Sequence, residues 1–310
     1  EGDEYDSAFF AKWAKFFYYL PDTLVINNIE FDHADIYQDL AEIIKTFRQL
    51  INLVPQNGLI LAHAADTNIN EILPDAPAPV QTFGLETNAY WRATDLEPGP
   101  QGTRFTLQRA GQSLGTFDLP MSGSYNVRNA LAGLAAGFHA GLTLELMQSA
   151  LSRFTGVKRR QEIVGEVNGI LLIDDFAHHP TAVSLTLNGL KQAHPERRLV
   201  AVFEPASATN ARALFEERYI EAFTLADALV ITRVPRPERA RNDEPFSPDR
   251  LVQQLRHVGK KADYLPDVDS IAAHLVAETS PGDLIVFMSN GGFGGLQEKL
   301  LTALQTQCST

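Results

Sequence analysis

The sequence predicts an α/β protein of two domains, the first covering residues 1–155 and the second residues 156–310. Three observations support this. The chain has 310 residues, more than one average domain uses. Its 45% hydrophobic and 21% charged residues suit an ordinary globular core. In both halves, short apolar runs alternate with segments of helical periodicity, which is typical of a sheet covered by helices.

The first half begins with short, buried strands and ends in a helix. Apolar runs at 24–29 and 58–66 predict strands, and helical spacing predicts a helix at 36–54. Residues 73–120 are rich in proline and glycine, and they include stretches in which apolar and polar residues alternate. They predict antiparallel strands joined by turns, with a hairpin tip at 109–112. An alanine- and glycine-rich helix is expected at 126–142.

The second half alternates regularly and predicts a mostly parallel, doubly wound sheet. Strands are expected at 170–176, 198–205, 228–234 and 283–292, and helices at 181–194, 211–223, 247–259, 270–279 and 293–305. Such sheets bind ligands at the carboxyl ends of their strands. The polar residues predicted at those ends are Asp174, Asp175, Glu204, Ser289 and Asn290.

Composition excludes several classes of function. The formal net charge of −12 argues against nucleic acid as a partner. Cys308 is the single cysteine, so neither an internal disulfide nor a cysteine-rich metal site is expected. No apolar run reaches the roughly 18 residues that span a bilayer, so no membrane insertion is expected. No targeting signal is visible, so we expect a cytoplasmic location. The sequence starts at Glu1 and not at Met, so we expect a missing upstream segment.

Two acidic stretches in the first half are candidate cation sites. EGDEYD at 1–6 offers the oxygen ligands that Mg²⁺ prefers, although a surface charge cluster explains it equally well. NNIEFDHAD at 27–35 places His33 beside acids at a strand end, where it could ligate a metal or polarise a phosphate. The alternative is a helix N-cap formed by Asp32 or Asp35.

Two further stretches suit a nucleotide. In MSGSYNVRNALAG at 121–133, Asn126 and Asn129 lie one helical turn apart, and their amides suit an adenine edge. A capped helix packed on the sheet is the alternative. FTGVKRRQE at 154–162 carries three consecutive cations, including Arg160, at the predicted domain junction. They suit a phosphate or form a solvated charge run.

The densest polar stretch is IDDFAHHPTAV at 173–183, which carries Asp175 and His178 at a strand end. An aspartate there can hold a ribose hydroxyl or orient a histidine. SNGGFGG at 289–295 lies between a strand and a helix, so its amides can meet an anion. A GxxxxGK[ST] phosphate loop is absent from the sequence.

In combination and in order, EGDEYDSAFF, NNIEFDHADIY, IDDFAHHPTAV and FMSNGGFGG resemble the Mur ligases, the ATP-dependent amide-forming enzymes of peptidoglycan synthesis. The resemblance implies the later part of a central ATPase domain followed by a Rossmann-like domain. The SNGGFGG and EFDHAD variants favour members that act in peptidoglycan recycling. These join UDP-N-acetylmuramate to the murein tripeptide L-alanyl-γ-D-glutamyl-meso-diaminopimelate through an acyl phosphate.

The resemblance also implies roles for particular residues. Glu1 and His33 would be Mg²⁺ ligands, and Asn126 and Asn129 would hold the adenine of ATP. Arg160 would approach the nucleotide. Asp175 would bind the ribose or orient its neighbours, and His178 would line the substrate side. In this reading Asp175, His178 and Arg160 form the catalytic set.

The chain departs from the family in three ways. The family's N-terminal UDP-binding domain and phosphate loop lie upstream of Glu1, so we expect this chain alone not to catalyse ligation. Tyr125 replaces a histidine in the adenine motif. Ala206 stands where relatives carry an arginine, and we expect the anion contact to be lost or to move to Arg212.

Three other readings stay open. The chain can be a truncated, non-catalytic nucleotide-binding module, for which the missing phosphate loop argues. It can be the related UDP-N-acetylmuramate–L-alanine ligase. A metal-dependent hydrolase that uses the Asp and His clusters is a weaker third reading, because it does not account for the order of the motifs.

Overall fold

The structure is a computed structural model, and it describes residues 2–7, 11–240 and 243–307. The described residues form two compact units. The first unit takes in Glu1–Pro98, Gly102–Pro120 and Ser124–Phe154, and the second takes in Gly99–Gln101, Met121–Gly123 and Thr155–Thr310. Each unit contains a six-stranded sheet with helices, which confirms the predicted α/β class.

The sheet of the first unit is parallel at one side and antiparallel at the other. Its strands, in spatial order, are β1 (Thr23–Ile26), β2 (Leu59–His63), β3 (Val80–Gly84), β4 (Trp91–Gly99), β5 (Gly102–Arg109) and β6 (Gln112–Leu119). β1, β2, β3 and β4 pair in parallel, and β5 pairs antiparallel with β6. The prediction of antiparallel strands throughout 73–120 is therefore wrong for β3, which joins the buried parallel part of the sheet.

The predicted hairpin tip is confirmed. β5 and β6 are joined by Ala110 and Gly111, both of which have positive φ (48° and 80°). Two consecutive left-handed residues give the turn a twist that matches the twist of the flanking strands.

Helices cover this sheet and build its core. They are α1 (Leu40–Ile51), α2 (Thr67–Ile72), α3 (Ser124–His139) and α4 (Leu144–Ser152). α1 begins later than predicted because Asp39 is extended and its side chain accepts a hydrogen bond from the Glu42 amide. The fully buried Ile43 and Ile51 of α1 pack with Ile60 of β2 and Ile69 of α2 in one apolar cluster.

The sheet of the second unit is the predicted doubly wound one. Its strands are β7 (Glu162–Val167), β8 (Ile170–Asp175), β9 (Arg198–Phe203), β10 (Ala228–Ile231), β11 (Lys261–Tyr264) and β12 (Asp283–Met288), in the spatial order β11-β10-β9-β12-β8-β7. All pairs are parallel except β7 with β8. β11 was not predicted, because its four residues KADY include two charged ones and show no apolar run.

The helices of the second unit are α5 (Pro180–Ala193), α6 (Glu216–Phe223), α7 (Pro248–His257), α8 (Val268–Glu278) and α9 (Leu296–Gln307). α9 begins at Leu296 instead of 293 because Phe293, Gly294 and Gly295 all have positive φ and form a 3-10 turn. Leu296 and Leu300 pack with Ile271 of α8 and Phe287 of β12 in the core. In the described part of the chain, no helix combines the length and apolar character needed to cross a bilayer.

Candidate functional site

The first unit gathers polar groups at the carboxyl ends of its parallel strands. Asp66, which follows β2, accepts a hydrogen bond from the Ile29 amide (3.1 Å) and caps α2 at the Ile69 amide (2.8 Å). Asn68 donates to the Ile29 carbonyl at 2.7 Å. These bonds hold the loop after β1 against the loop after β2. The loop leads to His33 at the predicted ligand edge.

His33 is surrounded by acidic groups. Its Nε2 lies 3.0 Å from Glu4 Oε1, and its ring meets the Tyr5 ring edge-on at 4.7 Å between centroids. Burial alone lowers the pKa of His33, but the hydrogen bond with Glu4 and the charges of Asp32, Glu4 and Asp3 outweigh it and raise the pKa. The surroundings therefore favour positive charge.

The metal prediction is only partly covered by the structure. Glu1 lies outside the described residues. Among residues 2–7, 11–240 and 243–307, no group of three His, Cys, Asp or Glu side chains is arranged to hold a metal ion. Asp3 and Glu4 near His33 carry carboxylates, the type of ligand that a hard cation prefers. His33 would have to release Glu4 to ligate one.

The two asparagines predicted to hold adenine differ in exposure. α3 begins at Ser124, directly after Gly123 (φ 93°), and packs against β2 and β3. Asn126 is only 6% exposed, whereas Asn129, one turn later, is exposed to solvent. Asn129 is thus the more accessible of the pair to a ligand.

A half-buried cation on α3 was not predicted from the sequence. Arg128 is half-buried, and among the described residues it forms no hydrogen bond or ion pair. Burial lowers the pKa of Arg128, and the charge of Glu86 offsets part of that effect. Burial, and after it the charge of Arg128, lowers the pKa of His63. The buried Nε2 of His63 has no hydrogen-bond partner within the described ranges. The only sequence signal was the place of His63 at the end of a buried strand.

In the second unit, the carboxyl ends of β8, β9, β10 and β12 lie at one edge, because these strands are parallel and in register. Met288 is aligned with Asp175 and with Phe203, and Ile231 is also aligned with Phe203. The prediction that the polar residues after these strands share one edge is confirmed.

The carboxylate of Asp175 is hydrogen-bonded within the protein. It is 2% exposed, and its carboxylate accepts hydrogen bonds from the Gln161 amide (2.8 Å), the Ala177 amide (2.8 Å) and the Thr186 hydroxyl (3.4 Å). Burial raises the pKa of Asp175. Of the two predicted roles, this geometry supports orienting the neighbouring segments and leaves little of the carboxylate for a ribose.

The cations at 159 and 160 have different surroundings. The Arg159 guanidinium lies 3.3 Å from Asp174 Oδ2 and donates to the Ser289 carbonyl, so it ties β8 to the end of β12. The exposed Arg160 has its guanidinium 4.9 Å from the centroid of the Phe176 ring. Arg160 is therefore the more available of the two to an anionic ligand.

His178 is fixed through its own backbone and ring. Its Nδ1 lies 3.0 Å from the Phe176 carbonyl oxygen. A carbonyl oxygen only accepts, so the Nδ1–H group donates in this contact. The His178 carbonyl accepts from Asn210 Nδ2 (3.2 Å) and from the Tyr219 hydroxyl (2.5 Å).

A second set of acceptors follows β9 and β12. Ser289 is fully buried, donates from its Oγ to Glu204 Oε2 (2.5 Å) and accepts from the Gly291 amide (2.8 Å). Asn290 Oδ1 is buried and has no hydrogen-bond partner among the residues that the structure describes. Polar groups buried without partners are uncommon in folded proteins, so this oxygen marks a place for a donor.

The anion contact predicted for Arg212 is not supported by its position. Arg212 is 8% exposed, and one of its terminal nitrogens lies 3.0 Å from Asp243 Oδ2. Its charge is already neutralised inside the unit.

The two units correspond to two domains of one enzyme family. A model described as "Mur ligase middle domain" matches residues 11–137, and one described as "Mur ligase, glutamate ligase domain" matches residues 159–291. The chain therefore belongs to the Mur ligase family and carries its middle and C-terminal domains. The resemblance inferred from the motifs is confirmed.

Two curated relatives carry different names. The chain is 36% identical over 311 residues to the UDP-N-acetylmuramate–L-alanyl-γ-D-glutamyl-meso-2,6-diaminoheptandioate ligase of Escherichia coli K12, covering 98% of this chain and 64% of that protein. It is 35% identical over 276 residues to the UDP-N-acetylmuramate–L-alanine ligase of Desulfitobacterium hafniense Y51, covering 89% and 61%. The chain thus spans less than two thirds of the length of these relatives.

Solved structures agree on the fold. The murein peptide ligase of Psychrobacter arcticus 273-4 matches with a TM-score of 0.68 and 34% identity, over 98% of this chain and 62% of that one. The UDP-N-acetylmuramate–alanine ligase of Thermotoga maritima matches with a TM-score of 0.76 at 21% identity, over 100% and 63%. The second likeness concerns the fold alone.

Proposed function

We propose that this chain is the central and C-terminal part of an ATP-dependent ligase that joins UDP-N-acetylmuramate to the murein tripeptide L-Ala-γ-D-Glu-meso-diaminopimelate. The observation that carries the proposal is the 36% identity to the E. coli tripeptide ligase, which extends over 98% of the chain and both units. The EFDHAD and SNGGFGG stretches favour this substrate over free L-alanine.

The chemistry has two steps. The lactyl carboxylate of UDP-N-acetylmuramate attacks the γ-phosphorus of ATP, which gives an acyl phosphate and ADP. The amine nitrogen of the tripeptide then attacks the acyl carbon, and the tetrahedral intermediate expels phosphate as the amide forms and the nitrogen loses its proton. Both steps gather negative oxygens, so cationic and hydrogen-bond-donating groups accelerate them.

The residues suit these needs as follows. Asn126 and Asn129 hold the adenine, and the exposed Arg160 approaches the phosphates. Asp175 fixes the backbone at Gln161 and Ala177 and thereby positions Arg160 and His178. His178, held by the contact of its Nδ1 with the Phe176 carbonyl, lines the substrate side.

Mg²⁺ belongs to the same proposal, with Glu1 and His33 as its protein ligands. The acidic surroundings of His33 support a cation there. When bound, the ion would neutralise phosphate oxygens.

The alternative with a specific observation in its favour is the UDP-N-acetylmuramate–L-alanine ligase, because relatives of that name reach the same identity. The non-catalytic nucleotide-binding module also stays a candidate for the chain by itself, since no GxxxxGK[ST] loop is present.

The test measures phosphate release and product mass with ATP, UDP-N-acetylmuramate and either the tripeptide or L-alanine. It uses both this chain and the full product of its gene. We expect the full product to require both substrates and to prefer the tripeptide, and this chain alone to bind nucleotide without turnover. Equal turnover with L-alanine would contradict the tripeptide assignment.

A further inference from the structure

The loop after β10 carries arginines that the proposed chemistry does not use. Arg233, Arg236 and Arg239 lie between Ile231 and the end of a short 3-10 turn at Ala240. Among the described residues, none of the three forms an ion pair. Arg233 and Arg236 are exposed, whereas Arg239 is half-buried. Arg239 is therefore the one whose charge is partly removed from water.

Arg239 lies against the neighbouring loop at the carboxyl edge of the sheet. One terminal nitrogen of its guanidinium donates to the Ala206 carbonyl oxygen at 3.5 Å, a long hydrogen bond. Ala206 follows β9, directly beside β10 in the sheet. The guanidinium of Arg239 therefore lies next to the loop in which position 206 carries only a methyl group.

Three acidic side chains that follow Arg239 in the chain are engaged elsewhere, and Glu238, directly before it, is exposed. Asp243 pairs with Arg212 at 3.0 Å, and Glu244 pairs with Arg250 at 2.8 Å. Asp267 accepts from the amide and hydroxyl of Ser270 at the start of α8. A half-buried guanidinium without a carboxylate partner lacks the charge-assisted hydrogen bonds that compensate its lost hydration.

Hydrogen-bond acceptors also lie close to Ala206. A Cβ built on Gly291 would come within 2.8 Å of Glu204 Oε2 and 3.4 Å of the Ala206 Cβ, so these three residues meet at one place. The adjacent Asn290 Oδ1 is buried and finds no hydrogen-bond partner in the described part of the chain. The guanidinium of Arg239 and the carboxylate of Glu204 thus both lie close to Ala206, with the Asn290 amide oxygen next in the chain to Gly291. This arrangement complements a ligand that carries both a carboxylate and an ammonium group.

We propose that Arg239 binds a carboxylate of the amine-bearing peptide substrate and makes the enzyme select for that negative charge. The inference rests on the proposed function, because it assigns a binding residue for the acceptor of the acyl group. Glu204 and Asn290 Oδ1 face an ammonium group of the same peptide.

The test is the steady-state kinetics of the full gene product with Arg239→Gln and with Arg236→Gln as the matched control. Arg236 is on the same loop, exposed and without an ion pair. Loss of a charge-assisted contact predicts that Arg239→Gln raises the KM for tripeptide about ten- to a hundredfold. We expect the KM for ATP to stay unchanged, Arg239→Lys to restore part of the affinity and Arg236→Gln to match the wild type.

A second arm needs no variant. Tripeptides in which each carboxylate in turn is an amide are compared on the wild type and on Arg239→Gln. One of these amidated tripeptides should have a wild-type KM raised as much as Arg239→Gln raises the KM for the unmodified tripeptide. The same amidation should not raise the KM of Arg239→Gln any further, because the carboxylate and Arg239 form the two halves of one contact.

The outcomes separate the two claims. If the wild type ligates the tripeptide and Arg239→Gln keeps the wild-type KM, the inference is overturned and the proposed function stands. The inference is also overturned if every amide acts equally on both proteins. If the wild type releases no phosphate with the tripeptide, the proposed function fails and the inference fails with it.

Discussion

The carboxylate of Asp175 and the backbone amide of Gln161 are joined by a hydrogen bond of 2.8 Å. The same carboxylate accepts from the Ala177 amide at 2.8 Å. One buried side chain thus connects the segment that carries Arg160 to the segment that carries His178. Residues that the sequence placed in separate motifs are held together by an aspartate that faces the interior.

Replacing Asp175 with alanine should destabilise the second unit. The change leaves two backbone donors without an acceptor, each costing about 1–3 kcal/mol when buried. Chemical denaturation of the variant should show a loss of about 2–4 kcal/mol in unfolding free energy. Asp249→Asn, at an exposed site in the first turn of α7, should change little. Equal stability of Asp175→Ala and wild type would contradict this account.

The same residue predicts a pH dependence. Burial raises the pKa of Asp175 in the folded state above its ordinary value of 3.8. The stability linked to protonation of Asp175 is therefore fully present below that ordinary value and is lost as pH rises through the raised pKa. The quantity to measure is the difference in unfolding free energy between wild type and Asp175→Asn. We expect this difference to fall as pH rises from the ordinary pKa through the raised one. A difference that rises with pH would show that the folded-state pKa is depressed.

Exposure predicts different effects for the two asparagines of α3. Asn129→Ala removes an exposed amide and should weaken binding of ADP about two- to tenfold, the value of one hydrogen bond, without lowering stability. Asn126→Ala, at a site that is 6% exposed, should lower both the affinity for ADP and the stability. Calorimetric titration with ADP checks this, with the exposed Asn188→Ala on α5 as control. Unchanged ADP affinity in Asn129→Ala would argue against an adenine contact there.

The hydroxyl of Tyr219 holds the His178 segment. It donates to the His178 carbonyl and also lies 2.8 Å from Asn210 Oδ1, in a fully buried position. Tyr219→Phe should cost about 1–3 kcal/mol of stability because it removes the buried hydroxyl that donates to the His178 carbonyl. It should also lower kcat by displacing His178. Tyr264→Phe, whose hydroxyl has no hydrogen bond among the described residues, is the control. Wild-type kcat in Tyr219→Phe would contradict a positioning role.

Arg250 should stabilise the second unit through Glu216. Two of its guanidinium nitrogens contact the carboxylate of Glu216, which is 8% exposed. The pKa of Arg250 is raised by these hydrogen bonds. Breaking a fully buried pair costs about 3–5 kcal/mol, and the partial exposure of Arg250 reduces the expectation for Arg250→Met to about 2 kcal/mol.

The control for Arg250 is Lys261→Met, which breaks the exposed pair with Glu278. That change should alter the unfolding free energy by about 0.5 kcal/mol or less. Similar losses in the two variants would mean that burial of Glu216 adds nothing to the pair.

Much of the fold could be predicted from sequence because its signals are local. Apolar runs bounded by polar clusters identified β8, β9 and β12, and the dipeptide Ala110-Gly111 identified the hairpin tip. β11 escaped prediction because KADY has no such run. The helices α1 and α9 begin later than predicted. Their starts depend on backbone conformation, at the Asp39 cap and at three left-handed residues, and the spacing of apolar residues does not report backbone conformation.

The candidate site was predictable to the level of residue type at a strand end. The sequence indicated Asp175 and His178 but not that the Asp175 carboxylate faces the interior. It offered Arg212 as an anion contact, which the ion pair with Asp243 argues against. Arg128 and Arg239 were missed because their significance depends on burial and on the absence of an acidic partner. Both are properties of the folded chain.

The central claim is ligation through an acyl phosphate, and oxygen transfer tests it most directly. UDP-N-acetylmuramate labelled with ¹⁸O in the lactyl carboxylate is incubated with ATP, the tripeptide and the full gene product, and the released phosphate is analysed by mass spectrometry. The account predicts that each phosphate released carries one ¹⁸O atom and that one amide forms for each ADP. Unlabelled phosphate, or phosphate release without amide, would contradict it.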